Sequence, residues 1–221
     1  MSDIFREVDE DLRRERAEKL WKKYGPVLIA GAAAIVLATA AYVGWQRWQE
    51  RQQAERTAVL LQAVDKVQAT RQGQGTPADA IAALSGAAGA LKGAPQALAR
   101  LQQAGVMAAN GDAAGAVGLY DQLAGSGEVD PLFRDLALLM SVLHQMDGGD
   151  PAQLQSRLQP LLAQTSPWRH SARELAGALA ARAGDRKRAA ELFQQISSDA
   201  EAPAGIRSRA ADLAALYAEQ K

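Results

Sequence analysis

The sequence predicts an all-α protein in which one N-terminal transmembrane helix is followed by an α-solenoid of stacked helical hairpins. Three observations support this fold class. The composition is rich in Ala, Leu, Gln, Arg and Glu, which favour helices, and poor in the β-branched and aromatic residues that favour strands. One long uncharged segment lies near the N-terminus, and turns that contain glycine then recur at nearly constant spacing.

The composition also limits the function. The 221 residues include 25 basic and 25 acidic side chains, so no excess of positive charge favours nucleic acid as a partner. The chain has no cysteine, which excludes disulfides, thiolate metal sites and cysteine nucleophiles. This length accommodates one sizeable domain and an appendage.

Residues 1–25 are predicted to form an amphipathic cytoplasmic helix that leads into the uncharged segment. Ile4, Val8 and Leu12 recur every four residues, as they would on one face of a helix. Either this face contacts the membrane surface or a partner, or the helix is a solvated lead-in. The many acidic residues of the segment favour the solvated lead-in.

Residues 26–46 are predicted to form a transmembrane helix. Residues 27–44 are uncharged and would span about 27 Å as a helix, close to the thickness of the hydrocarbon core of a bilayer. The predicted span includes Val27, Gly31, Leu37 and Gly44. Aromatic residues lie at both of its ends, as in the interfacial belts of membrane helices, and these are Trp21, Tyr24, Tyr42, Trp45 and Trp48.

Two other interpretations of this segment are less consistent with its flanks. A buried core helix has no reason to concentrate aromatic residues at both ends. A cleavable secretion signal would explain the small residues at positions 38–40, but a signal begins with a short, positively charged stretch. Here the first 25 residues carry seven acidic and seven basic side chains. We therefore predict an uncleaved membrane anchor.

The charges that flank the span predict its orientation. Six Lys and Arg residues lie within positions 13–23, whereas three lie within positions 47–56. This asymmetry places the N-terminus in the cytoplasm. We therefore expect a single-pass protein of the bacterial inner membrane whose C-terminal domain is periplasmic. Alanines at positions 30, 34 and 38 would let a second helix approach closely, or they reflect only an alanine-rich span, so the oligomeric state stays open.

Residues 47–74 are predicted to form a juxtamembrane helix that starts the solenoid, and residues 75–221 to form a repeat domain. Gly75, Gly111, Gly149 and Gly184 mark turns that are 36, 38 and 35 residues apart. A repeat of this length with a turn in its middle resembles the tetratricopeptide unit, whose period is about 34 residues. Residues 203–221 would then form a terminal helix that covers the open end of the stack.

Two of the four units share a pattern of packing residues. A small residue follows the glycine by five positions and an aromatic residue follows it by nine. The residues concerned are Gly111, Ala116 and Tyr120 in the second unit and Gly184, Ala189 and Phe193 in the fourth. The glycine permits a left-handed turn, the small residue allows close packing of the two helices, and the aromatic ring fills the space against the next pair. The units at Gly75 and Gly149 keep the apolar face but lack the aromatic residue.

No arrangement of residues indicates a catalytic, cofactor-binding or metal-binding site, and we expect a protein that is not an enzyme. His144 and His170 are far apart in the sequence and are interpreted as structural or surface residues. Phosphate-binding glycine loops of the GxxxxGK type are absent from the sequence.

Any function is therefore expected to depend on surfaces that bind other molecules. Residues 131–146 form the most apolar predicted helix outside the span. Leu139, Met140, Leu143 and Met146 of this helix form a candidate partner-binding surface, because methionine adapts to irregular partners. The alternative, which we favour, is that this helix lies in the centre of the repeat core.

Taken together, these features resemble the YfgM-like family of ancillary subunits of the bacterial Sec translocon. The resemblance is carried by KKYG at residues 22–25, the apolar span, GWQRWQ at residues 44–49 and the degenerate repeats that follow. It implies a single-pass inner-membrane protein with a periplasmic tetratricopeptide-like domain. It also implies association with Sec translocon subunits, with a periplasmic prolyl isomerase or chaperones, and with secreted client proteins. An alternative is a scaffold for envelope assembly or cell division that uses the same repeats.

Overall fold

The computed structural model describes the backbone of residues 3–218 and the side chains of residues 22, 24, 31, 35–49, 52, 54 and 57–218. Trp21 of the predicted belt and Val27 of the predicted span lie outside the described side chains. Nine α-helices and one 3-10 turn account for the regular structure of residues 3–218, and no strand occurs among them. The all-α prediction is therefore confirmed.

The first helix, α1, is much longer than the others and runs over Asp3–Arg71. The remaining helices are α2 (Pro77–Ala90), α3 (Ala94–Ala109), α4 (Ala113–Gly125), α5 (Pro131–His144), α6 (Pro151–Leu158), α7 (Arg169–Arg182), α8 (Arg186–Ser197) and α9 (Ala204–Ala218). A 3-10 turn over Gln159–Leu162 follows α6. The segments predicted as lead-in, span and juxtamembrane helix thus belong to a single continuous helix.

The chain divides into two compact units, Met1–Glu55 and Arg56–Lys221. Within the first unit, every side chain of residues 35–49 is exposed, including Leu37 at 70% and Tyr42 at 69%. Among the side chains that the structure describes, no helix is long and apolar enough to cross a membrane.

The second unit is a stack of helical hairpins built around three buried apolar clusters. The first cluster joins the end of α1 to α2 and α3 and includes Val67 and Leu84. The second joins α3, α4 and α5 around Tyr120. The third extends from α5 to α9 and includes Leu158 and Phe193. Because each cluster draws on neighbouring hairpins, no hairpin buries its apolar face alone.

The turns at Gly111 and Gly184 join paired helices in the same way. Gly111 has φ +90° and Gly184 has φ +83°, a left-handed conformation that glycine adopts without steric cost. At the second of these turns the Asp185 N–H donates to the carbonyl of Ala180, which closes the end of α7. The Asp185 carboxylate also accepts from the Arg188 N–H at 2.9 Å and caps α8. The Gly-Asp pair therefore ends one helix and begins the next.

The other two turns depart from this arrangement. In the first turn, Gly73 rather than Gly75 has the positive φ, at +74°, and Thr76 caps α2 directly before Pro77. In the third turn, the φ angle of Gly149 is not positive. Glycine is needed there for space, because a Cβ atom would lie 2.9 Å from Leu154 Cδ1 and 3.0 Å from the Gln145 carbonyl oxygen.

The left-handed turn predicts the effect of adding a methyl group. We expect Gly184→Ala to lower the free energy of unfolding by about 1 kcal/mol, because alanine is strained at this φ. Gly118→Ala, in the interior of α4 with open space around its Cα, provides the control and is expected to raise the stability by about 0.5–1 kcal/mol. Urea unfolding followed by far-UV circular dichroism measures both. Equal stability changes in the two variants would contradict the proposed role of the turn.

Candidate interaction surface

The odd-numbered helices form one side of the repeat stack. Helix α3 contacts α5, α5 contacts α7, and α7 contacts α9. Among the even-numbered helices α2 to α8, successive members make no comparable contact. These contacts place α3, α5, α7 and α9 next to one another along one side of the stack, which we call its inner surface. In helical-repeat proteins, a row of stacked helices of this kind forms an extended surface that can bind partners.

An apolar slot of about 240 Å³ lies on this inner surface between α3 and α5. We call it the α3–α5 slot. Its lining consists of Leu98, Leu101, Gln102, Gly105, Tyr120, Leu136 and Met140. Leu98 is 37% exposed, and Leu136 and Met140 are half-buried. The slot is therefore accessible to a side chain of another molecule.

A second cavity, of about 220 Å³, lies farther along the same face of α3, within the same compact unit. We call it the α1–α3 cavity. Its lining consists of Val67, Thr70, Arg71, Pro77, Gln102, Gly105, Val106, Ala109 and Asn110. Gln102 and Gly105 line both cavities, so the two adjoin each other along α3. Together they form what we call the inner groove.

Tyr120 supports the α3–α5 slot from below. The residue is 1% exposed, and its ring stacks on that of His144 at a centroid distance of 5.7 Å. Its hydroxyl lies 3.6 Å from the point where a Cβ atom on Gly105 would stand. Burial raises the pKa of Tyr120, so the phenol stays neutral at physiological pH. Ala116, one turn earlier on α4, is fully buried.

In the fourth repeat, Ala189 and Phe193 correspond to Ala116 and Tyr120, and they do not line the inner groove. Ala189 and Phe193 are buried, and a Cβ atom on Gly177 of α7 would stand only 2.9 Å from the Phe193 ring. The ring of Phe193 also stacks on that of Tyr217 at 5.9 Å, which attaches the terminal helix α9 to α8. The aromatic residue of each unit thus fills space against an element that follows it in the chain.

The residues of the candidate partner-binding surface on α5 and just after it occupy different environments. Leu139 is buried in the cluster that extends from α5 to α9. Met140 and Met146 are half-buried against two different clusters, whereas Leu143 is 43% exposed. Only Met140 lines the inner groove. These side chains do not form one continuous exposed stripe.

A polar cluster joins the second hairpin, formed by α3 and α4, to the third, formed by α5 and α6. The Arg157 guanidinium on α6 lies 2.5 Å from the Asp121 carboxylate on α4. Between them, the fully buried Ser141 hydroxyl donates to Asp121 at 2.5 Å and accepts from Gln145 at 2.9 Å. Satisfying a buried hydroxyl in this way makes the relative position of the two hairpins specific.

A second polar cluster ties α7 to the segment between α8 and α9. Nε2 of His170, which is buried, lies 2.9 Å from the Asp199 carboxylate, and Arg169 pairs with Glu201 at 2.5 Å. The hydrogen bond from His170 and that from the Glu201 N–H hold the pKa of Asp199 below its usual value. Farther along, Arg209 on α9 makes two hydrogen bonds to Glu174 on α7. In the described part of the chain, no group of three His, Asp or Glu residues is arranged to hold a metal ion.

Stacked helical hairpins with an accessible inner groove define this chain as a helical-repeat protein, a class that mediates protein–protein interaction. More specifically, the chain belongs to the tetratricopeptide repeat-like domain family, whose profile matches residues 18–215. This match confirms the prediction of tetratricopeptide-like repeats. No curated protein and no solved structure gives a match.

The lowered pKa of Asp199 predicts a pH dependence of stability. Because the unfolded chain binds a proton more readily at this site, the contribution of Asp199 is complete above about pH 4 and is lost as the pH falls through the folded pKa. We expect Asp199→Asn to lower the stability at neutral pH and to flatten its decline in acid. Urea unfolding between neutral and acidic pH measures this difference.

Asp212→Asn is the matched control, since Asp212 is exposed on α9. This variant should retain the acid dependence of the unchanged chain. An unchanged acid profile in Asp199→Asn would show that the contacts of Asp199 do not contribute to stability.

Proposed function

We propose that this protein is a membrane-anchored periplasmic adaptor with chaperone-like activity that works beside the Sec translocon. Its inner groove would bind partner proteins or secreted clients as they emerge from the membrane. The observation that carries this proposal is the accessible inner groove within a tetratricopeptide repeat-like domain whose family match extends into the N-terminal helix.

The first part of α1 supports a membrane anchor. Ile35, Val36 and Leu37 are each more than 60% exposed, at 68%, 65% and 70%. Exposure of consecutive large aliphatic side chains to water is unfavourable, whereas lipid acyl chains would accommodate them. Trp45 and Trp48 follow on the same helix, 62% and 53% exposed, where an interfacial belt is expected.

The extent of the family match favours a retained segment over a cleaved signal. The match begins at residue 18, before the uncharged run, and continues to residue 215. The run is thus part of the region that defines the family. The excess of Lys and Arg on its N-terminal side supports a cytoplasmic N-terminus and a periplasmic repeat domain.

Association with the Sec translocon is proposed from the resemblance of residues 22–25 and 44–49 to the ancillary translocon subunits. Partners of the same system, a periplasmic prolyl isomerase or chaperones, would then share the repeat domain with secreted clients. The inner groove supports this part of the proposal because it offers an apolar slot and uncharged amide side chains to a polypeptide.

The orientation has a direct test in a Gram-negative host that produces the chain. Protease added to spheroplasts is expected to digest residues 47–221 and to leave an epitope tag on the N-terminus intact. Lysis of the membrane should then expose the tag to digestion. Survival of the repeat domain until lysis would show that the proposed orientation is wrong.

The use of the groove can be tested by site-specific photocrosslinking in cells. A photoreactive residue at Leu98, which lines the α3–α5 slot, is expected to capture translocon subunits and nascent secreted chains. The same residue at Gly118, exposed on α4 and lining neither cavity, should capture them much less, because the probe then lies outside the groove. Equal capture at both positions would contradict binding in the groove. Capture of envelope-assembly or division proteins alone would favour a scaffold instead.

A further inference from the structure

We infer that the inner groove selects extended peptide segments in which a large aliphatic residue and an acidic residue lie about three positions apart. This inference rests on the proposed function, since it names the kind of segment that the groove would bind. The aliphatic side chain would occupy the α3–α5 slot, and the carboxylate would pair with Arg71 in the α1–α3 cavity.

The α3–α5 slot matches an aliphatic side chain. Apart from Gln102, each of its lining residues presents an apolar group or a buried aromatic ring. Leu98, Leu136 and Met140 are all partly accessible, so a ligand side chain that enters would remove apolar surface on both molecules from water. Such burial favours leucine or isoleucine over alanine.

The charge of the groove is restricted to one position. The chain as a whole carries equal numbers of acidic and basic residues, yet no acidic side chain lines either cavity and Arg71 is the single charged residue among their linings. Arg71 is exposed and forms no ion pair among the described residues. The groove therefore complements a negative charge and disfavours a positive one.

Polar groups between the two cavities match a peptide backbone. Gln102 lines both cavities, and its side-chain amide has no hydrogen-bond partner among the described residues. Asn110 at the end of α3 offers a second amide in the α1–α3 cavity. Each amide both donates and accepts, as a peptide N–H and C=O require. An extended segment that runs along α3 would meet Gln102 between its two anchoring side chains.

The separation of the cavities sets the spacing of the motif. On α3 the slot is lined by residues 98–105 and the cavity by residues 102–110, so their centres are offset by about five residues, or about 7 Å, along the helix. A polyproline-type extended chain advances about 3.1 Å per residue and returns to the same face every three residues. Side chains three positions apart thus lie about 9 Å apart on one face.

The inference is tested with the full chain in lipid nanodiscs and short fluorescent peptides that contain Leu-Ser-Ser-Glu between flexible Gly-Ser ends. Fluorescence anisotropy should show binding of this peptide. The Leu-Ser-Ser-Lys peptide is expected to bind about tenfold more weakly, and replacement of Leu by Ala should weaken binding by about tenfold as well. Equal binding of the Glu and Lys peptides, or no binding of any peptide, would overturn the inference.

Matched variants locate the binding to the groove. Gly105→Leu, which fills the wall shared by the two cavities, should weaken binding of the Leu-Ser-Ser-Glu peptide at least tenfold. Gly118→Leu on the outer side of α4 makes the same change in open space and should leave binding unchanged. Circular dichroism checks that both variants are folded. A Gly105→Leu variant that is folded and binds normally would overturn the inference.

Charge reversal provides the second pair of variants. Arg71→Glu should invert the preference, so that the Lys peptide binds more tightly than the Glu peptide. Lys92→Glu, exposed between α2 and α3 and lining neither cavity, should retain the original preference. A loss of preference in both variants would indicate a general effect of net charge and overturn the role of Arg71. This experiment does not depend on translocon capture, so charge-independent peptide binding would overturn the inference and leave the proposed function standing.

Discussion

Each helical hairpin in this chain is apolar on faces that it cannot cover by itself, and stacking on its neighbours is the constraint on which the rest of the structure depends. Every buried cluster draws residues from adjacent hairpins, as Tyr120 shows by packing beneath α3 and against His144. Stability in such a stack is a sum of neighbouring interfaces. The same packing leaves a gap between α3 and α5, because Tyr120 fills the space below the two helices but not the space between their exposed faces.

Stacking alone would not set the position of each hairpin, since apolar surfaces tolerate sliding. Directional polar contacts supply this specificity at two junctions. Ser141 and Arg157 hold the third hairpin to Asp121 of the second, and His170 ties α7 to Asp199 beyond α8. The first of these junctions lies beside the α3–α5 slot, since Asp121 directly follows Tyr120, which lines the slot. None of these charged residues lines the groove, where Arg71 is the single charged residue.

Turn residues could be predicted where their role is local. Gly111 and Gly184 are recognisable because the glycine and the following aspartate act on backbone groups within a few positions. Gly73 could not be distinguished from Gly75, since either glycine of that turn can adopt a left-handed conformation. Gly177 has no local signal at all, and the Phe193 ring from the next helix explains it. On α5 both sides are apolar, so periodicity could not decide that Leu139 is covered while Leu143 is exposed.

The sequence by itself determined the helical class, the approximate positions of the turns, the aromatic residues that fill the repeats and the uncharged run near the N-terminus. These properties follow from composition, from spacing along one helix and from backbone interactions over a few residues. The tertiary structure decided that Gln102 and Gly105 line two adjacent cavities and that Arg71 is the single charged residue among their linings. It also decided that His170 meets Asp199. These outcomes depend on distances between residues of different hairpins, which are set by the packing of the whole stack and leave no periodic trace in the sequence.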